Sequence, residues 1–137
     1  MIARMPEAPG EIAVLDASAL VDVLAGTCRG NQVKTRLRGT VLHAPAHLDA
    51  EVLSALGRLC RAGVLTASTV DAALQALASL PLTRHPVVEL AKGAWGRRGD
   101  LRLVDALYIE LAASLGAKVL TTDRRLARAS ALAEEIV

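Results

Sequence analysis

At 137 residues, 53% of them hydrophobic, the chain is long enough to bury one proper core and too short for two ordinary domains. Its apolar residues are Ala, Leu and Val, with one Trp, one Tyr and no Phe, which argues against a stacking platform for nucleic-acid bases. A net charge of +2 permits a polyanionic partner without demanding one, although Arg97, Arg98 and Arg102, and then Arg124, Arg125 and Arg128, form two local basic clusters.

The opening stretch MIARMPEAPG carries Arg, Glu and two Pro but no apolar region of the kind an export signal needs, so residues 1–11 are expected to be a tail preceding one domain over residues 12–137. Ile12 to Leu15 read as a strand that stops at Asp16, and Leu20, Val21 and Leu24 then recur at helical spacing. A basic stretch from Lys34 to Arg38 leads through Gly39 into a second short strand, Thr40 to His43, ending before Pro45. From near Ala46 a helix is expected, because Leu48, Val52, Ala55, Leu56 and Leu59 fall on one face, with Gly63 beyond its end. Thr66 to Ser79 predict a further helix and Leu80 to Thr83 a third strand. Val87 to Trp95 and Leu103 to Leu115 predict two helices interrupted around Gly96 to Asp100, with Gly116 closing the second. Lys118 to Thr121 predict a fourth strand, Asp123 to Arg128 a short helix, and Ile136 and Val137 a marginal fifth strand.

Short strands separated by helices specify a parallel sheet covered on both sides, an α/β fold of three layers, α/β/α, around a short central parallel sheet. No apolar run reaches the ~18 residues of a membrane span, and Cys28 and Cys60 are isolated thiols that build no disulfide framework, so a reducing, cytoplasmic setting without membrane association is expected.

In such a sheet, function gathers beyond the carboxyl ends of the strands. Asp16 and Asp123 stand at two such ends. Glu51 and Asp105 interrupt otherwise apolar helices near their starts, at the edge of the buried face, where the positive end of the helix dipole favours a carboxylate. Four acids brought together repel one another unless a cation neutralises them, and oxygen-only ligands select a hard ion, Mg²⁺ or Mn²⁺, over Zn²⁺. Such an ion lowers the pKa of a bound water and holds a phosphate oxygen, which points to phosphodiester hydrolysis.

The segments IAVLDASALVDVL, HLDAEVLSALGRL and LRLVDALYIELAASLGAKVLTTDRRLARA, in this order and spacing, resemble the signature segments of VapC-type PIN-domain ribonuclease toxins, over roughly Ile12 to Val137. The resemblance implies that Asp16, Glu51, Asp105 and Asp123 are the catalytic, metal-binding acids of an endoribonuclease. Ser18 and Thr121 match polar positions beside the site, and Asp100 and Arg124 are candidates for supporting or positioning roles. It further implies a homodimer, an inhibitory VapB-like antitoxin, and binding of operator DNA only through that antitoxin. Many relatives carry Asn at the place of Asp100 and Tyr at that of Val104, so an added acid is expected to alter metal affinity.

Other acids, Asp22 and Asp49 among them, read as solvated helix charges or caps. His43 and His47 are separated by Pro45, which argues against one helix face presenting both to a metal, and His85 shows no partner. Arg58, Arg61, Arg124 and Arg125 are divided between phosphate contact and plain solvation. Two rivals remain: a signalling receiver domain, whose phosphoacceptor Asp is missing from the end of the expected third strand, and a catalytically inactive PIN-like module that binds RNA or protein.

Overall fold

The computed structural model describes residues 10–137. The elements run β1 (Glu11–Leu15), α1 (Ala17–Ala25), α2 (Cys28–Leu37), β2 (Thr40–Pro45), α3 (Leu48–Arg61), α4 (Ala67–Ser79), β3 (Leu82–His85), α5 (Val87–Gly96), α6 (Leu103–Leu115), β4 (Lys118–Thr121), α7 (Arg124–Ala129) and β5 (Ala133–Glu135). The first nine residues of the expected tail lie outside the described residues, and Glu11 already belongs to β1.

All pairings are parallel, as the strand–helix alternation predicts, and the strands lie in the order β3-β2-β1-β4-β5. This order differs from the 2-1-3-4-5 of receiver-type sheets and removes that rival. The central strand β1 supplies Ala13, Val14 and Leu15 to the core, joined by Val119 and Leu120 of β4. Helix α6 lies across β2, β1 and β4 with Tyr108, Ile109, Leu111 and Ala112 buried, and α5 packs against it. Helices α1 to α4 pack on one another and contribute Leu20, Val33, Leu48, Val52 and Leu56. Gly116 ends α6 at φ 63°, a left-handed conformation that costs glycine nothing.

Four boundaries differ from the sequence reading. The stretch containing Lys34 to Arg38 is the end of helix α2, which was not foreseen because Val33 and Leu37 alone do not make an apolar stripe. Its stability comes from elsewhere: the Thr27 hydroxyl caps its first turn, Val33 is fully buried, and Arg36 bridges Glu11 and Glu134 at 2.6–3.1 Å. Gly30 lets α2 approach α1 closely, since a Cβ there would lie 2.2 Å from the Asp22 carbonyl oxygen. Strand β2 continues through Pro45, because pairing with β1 ends at His43 and the amide hydrogen that proline lacks would have faced that side. Strand β3 starts at Leu82 rather than Leu80, which is the cap of α4 and precedes Pro81. Strand β5 is Ala133–Glu135 and not Ile136 and Val137. Ile136 adds one more bond, its N–H to the Thr121 carbonyl at 2.8 Å, while Val137 is exposed.

Candidate active site

Asp16 follows β1 directly, and its N–H reaches the Leu120 carbonyl at 3.0 Å, continuing the ladder between β1 and β4. Its side chain is buried. Ser18 Oγ and Thr121 Oγ1 both donate to one carboxylate oxygen, Oδ2, at 2.5 and 2.7 Å. The hydroxyls are themselves held, since Ser18 Oγ accepts the Thr122 N–H at 3.2 Å and Thr121 Oγ1 the Asp123 N–H at 2.9 Å. Oδ1 receives no donor among the described residues and remains for a ligand. Burial pushes the Asp16 carboxyl above its ordinary range, the two hydroxyls oppose this, and the charges of Glu51 and Asp105 add to it.

Glu51 projects from the first turn of α3, where Tyr108 of α6 donates its hydroxyl to Oε1 at 2.6 Å. Burial, and then the bond to Glu51, drive the phenol far above its ordinary range, so Tyr108 stays a donor. His47 Nε2 lies 3.3 Å from the same oxygen and 3.1 Å from the Val104 carbonyl. Both partners are acceptors, so Nε2 carries the proton, and Nδ1 is left buried with no partner.

Asp105, in the first turn of α6, accepts from Arg102 Nε at 3.0 Å and is largely shielded from solvent. Asp123 caps α7: its Oδ1 accepts the N–H groups of Arg125 and Leu126 at 2.9 and 3.3 Å.

The four acids therefore come from four separate elements and line one cleft of about 430 Å³ at the carboxyl end of the sheet. Among the described residues no three His, Cys, Asp or Glu side chains are already gathered around one ion position, so what these acids share here is the cleft. Each outer acid is held by its own neighbour, Glu51 by Tyr108 and Asp105 by Arg102. The donor set is oxygen throughout, with one buried carboxylate clamped by hydroxyls, and that chemistry suits a hard divalent cation.

Of the other candidates, Ser18 and Thr121 are in contact with Asp16. Asp100 lies outside the acid cleft, in a smaller neighbouring cavity with Arg102, Asp105 and Arg125. Arg124 is exposed, 3.9 Å from Glu135, and does not line the cleft. Its cationic wall is instead made by Arg58 and Arg102. Asp22, expected as a solvated helix charge or a cap, is a wall residue of the cleft, where it accepts from Thr122 Oγ1 at 2.7 Å and Thr27 Oγ1 at 2.9 Å. His85 does have a partner, His43, with ring nitrogens 2.9 Å apart. Tyr108, His47, Asp22 and Arg102 were missed as site residues, and spacing could have marked each. Tyr108 follows Asp105 by three and Arg102 precedes it by three, His47 precedes Glu51 by four, and Asp22 follows Ser18 by four.

Residues 13–132 match the PIN domain family. Ribonuclease VapC3 of Mycobacterium tuberculosis is 59% identical over 125 residues, covering 90% of this chain and 91% of that protein. Ribonuclease VapC12 of the same organism is 36% identical over 115 residues, covering 84% and 89%. Among solved structures, Mycobacterium tuberculosis VapC20, described as a sarcin-ricin loop cleaving toxin, superimposes with a TM-score of 0.66 at 21% identity, over 86% of this chain and 95% of that one. A crystal structure from Pyrobaculum aerophilum also gives 0.66, at 23% identity over 92% and 84%. At these identities the two structures speak for the fold alone. With four acids gathered at the carboxyl end of a parallel sheet and the relatives agreeing over nearly the whole described chain, this protein belongs to the PIN-domain VapC ribonuclease family.

Proposed function

We propose that the chain is the toxin of a toxin–antitoxin pair, an endoribonuclease that hydrolyses RNA phosphodiester bonds at the cleft of Asp16, Glu51, Asp105 and Asp123. The observation that supports it best is the clamped, buried Asp16 carboxylate, with one oxygen fixed by Ser18 and Thr121 and the other left for a ligand. These four carboxylates would hold Mg²⁺ or Mn²⁺. A divalent cation there supplies an activated water and neutralises charge at the phosphate under attack. The side chains do the rest: Ser18 and Thr121 fix Asp16, Tyr108 and His47 orient Glu51, and the α7 amides hold Asp123 by one oxygen while the second stays available.

The expected partners are an RNA substrate, a VapB-like antitoxin that blocks the cleft, and operator DNA met only through that antitoxin, all in the cytoplasm. Among the described residues no helix is long and apolar enough to cross a membrane. For self-association as a homodimer, the apolar groove lined by Val87, Ala91, Trp95, Leu103, Val104 and Leu107 is the favoured surface, since Trp95, Leu103 and Val104 are exposed there side by side.

Incubation of total cellular RNA with the purified protein in Mg²⁺ or Mn²⁺ tests the reading, with EDTA and Asp16→Asn as controls. Discrete fragments absent from both controls are expected. Identical RNA in all lanes, with folded and antitoxin-free protein, would overturn nuclease activity and favour a catalytically inactive RNA- or protein-binding module.

A further inference from the structure

Arg102 stands where two cavities meet. It immediately precedes α6, and its guanidinium turns back to pair with Asp105 at 3.0 Å. Together with Asp105 it forms the wall between the acid cleft and the adjoining cavity of about 120 Å³, whose polar lining is completed by Asp100 and Arg125. Arg102 is more than half exposed, and the charges of Asp123 and Glu51 also reach it. Arg125 makes no ion pair among the described residues.

We infer that Arg102 is an exchangeable counter-ion: a divalent cation displaces it from Asp105, and the freed guanidinium joins Arg125 in holding the RNA phosphodiester next to the one being cut. This inference rests on the nuclease reading and assigns the smaller cavity as a phosphate subsite. The charge balance carries it. Two arginines and two carboxylates line that cavity, so it attracts no anion while Asp105 keeps its charge for Arg102. Once a cation takes over Asp105, Arg102 and Arg125 outweigh Asp100 and the cavity turns positive. A planar guanidinium fork suits a phosphodiester as well as it suits a carboxylate, so the exchange needs only a side-chain rotation at an exposed position. Binding is then ordered, with the cation promoting RNA. Arg102 is a positioning residue on this view.

The test uses full-length wild type, Arg102→Gln and Arg125→Gln, both substitutions lying at the surface. Mn²⁺ affinity is measured by titration calorimetry. RNA affinity is measured by fluorescence anisotropy of a labelled mixed-sequence single strand, with and without Ca²⁺ as a cation that supports binding in place of Mn²⁺. Removing the competing cation should tighten Mn²⁺ binding by Arg102→Gln about three- to fivefold, in line with the modest strength of exposed ion pairs, while Arg125→Gln leaves it unchanged. In Ca²⁺ both variants should bind RNA about three- to tenfold more weakly and lower the salt slope by about one phosphate contact each. Unchanged or weaker Mn²⁺ binding by Arg102→Gln would mean that Arg102 orients Asp105 and is not displaced. Undiminished RNA binding by both variants would remove the subsite. Either result can stand beside intact wild-type cleavage, whereas a wild type that titrates Mn²⁺ no better than Asp16→Asn defeats the nuclease reading itself.

Discussion

Replacing Tyr108 with Phe removes one oxygen from the fully buried face of α6 and nothing else of size. That oxygen donates to Glu51 Oε1 at 2.6 Å. Hydrogen bonds to charged acceptors are worth about 1.5–3 kcal/mol, and because Glu51 is partly exposed, water recovers some of the loss, which brings the expected cost to about 1–2 kcal/mol. For a domain of this size that is a fall in Tm of roughly 4–8 °C. Glu51 would keep only His47 Nε2 at 3.3 Å, and that proton is shared with the Val104 carbonyl. Its carboxylate should therefore wander, and kcat on RNA should fall about tenfold or more. The decisive assay is a double-mutant cycle read by thermal and urea denaturation, with Tyr108→Phe, Glu51→Ala and the pair. If the bond is the cause, the two substitutions couple by about 1 kcal/mol or more. A coupling below about 0.3 kcal/mol would show that the hydroxyl serves the packing of α6 and not the orientation of Glu51.

Three other substitutions probe different parts of the argument. Burial raises the Asp16 pKa above its ordinary 3.8, so the folded chain holds that proton more tightly than the unfolded chain; the stability this gives is complete below 3.8 and is lost as pH rises through the folded value. In EDTA, Asp16→Asn should therefore gain in Tm relative to wild type as pH rises above about 4, and a flat or shrinking difference would contradict the assignment. At Gly30 an alanine Cβ would meet Asp22 backbone at 2.2 and 2.7 Å, which only separation of α1 and α2 relieves; about 1–3 kcal/mol of destabilisation, or roughly 4–12 °C in Tm, is expected, and a shift under about 2 °C would mean that α2 is not tightly docked. Trp95→Glu places a charge in the apolar groove of α5 and α6 and should weaken the proposed self-association at least about tenfold by sedimentation velocity, whereas self-association that is undiminished by the change would rule this groove out as the interface.

The four acids were legible because each violates the local pattern. Asp16 and Asp123 end apolar strands, and Glu51 and Asp105 break apolar helix faces, so a search for charges in the wrong place finds them. The parallel sheet was legible from the alternation of short apolar runs with helices. Helix α2 was not, because its stability comes from partners distant in sequence: Glu11 and Glu134 hold Arg36, and no stripe within CRGNQVKTRL announces it. The displacement of β3 has a similar cause, since the register with Leu42 to Pro45 of β2 decides which residues pair and the run LPLT does not. Tyr108 reads as core, and it is core, so its place three residues after Asp105 is the sole local mark of a hydroxyl that reaches Glu51.

That last point bears on how the site is built. The acids stand on four elements, but the groups that hold them are tied back to the same scaffold: Ser18 and Thr121 link β1 to β4 through Asp16, and Tyr108 and His47 link α3 to α6 through Glu51. Asp22 extends the pattern, since Thr122 and Thr27 bind its two oxygens and thereby join the loop before α7 to the start of α2. Like charges in one cleft oppose folding, and at Asp16, Glu51 and Asp22 the donors that offset the charge also stitch two elements together. Asp105 instead pairs with the cap residue of its own helix, and Asp123 caps its own. The clamp on Asp16 uses neutral hydroxyls and has no charge to displace, whereas Asp105 is offset by an exposed arginine that can leave. Of the four acids, Asp105 is therefore the one at which the occupancy of the site should change with the binding of a cation.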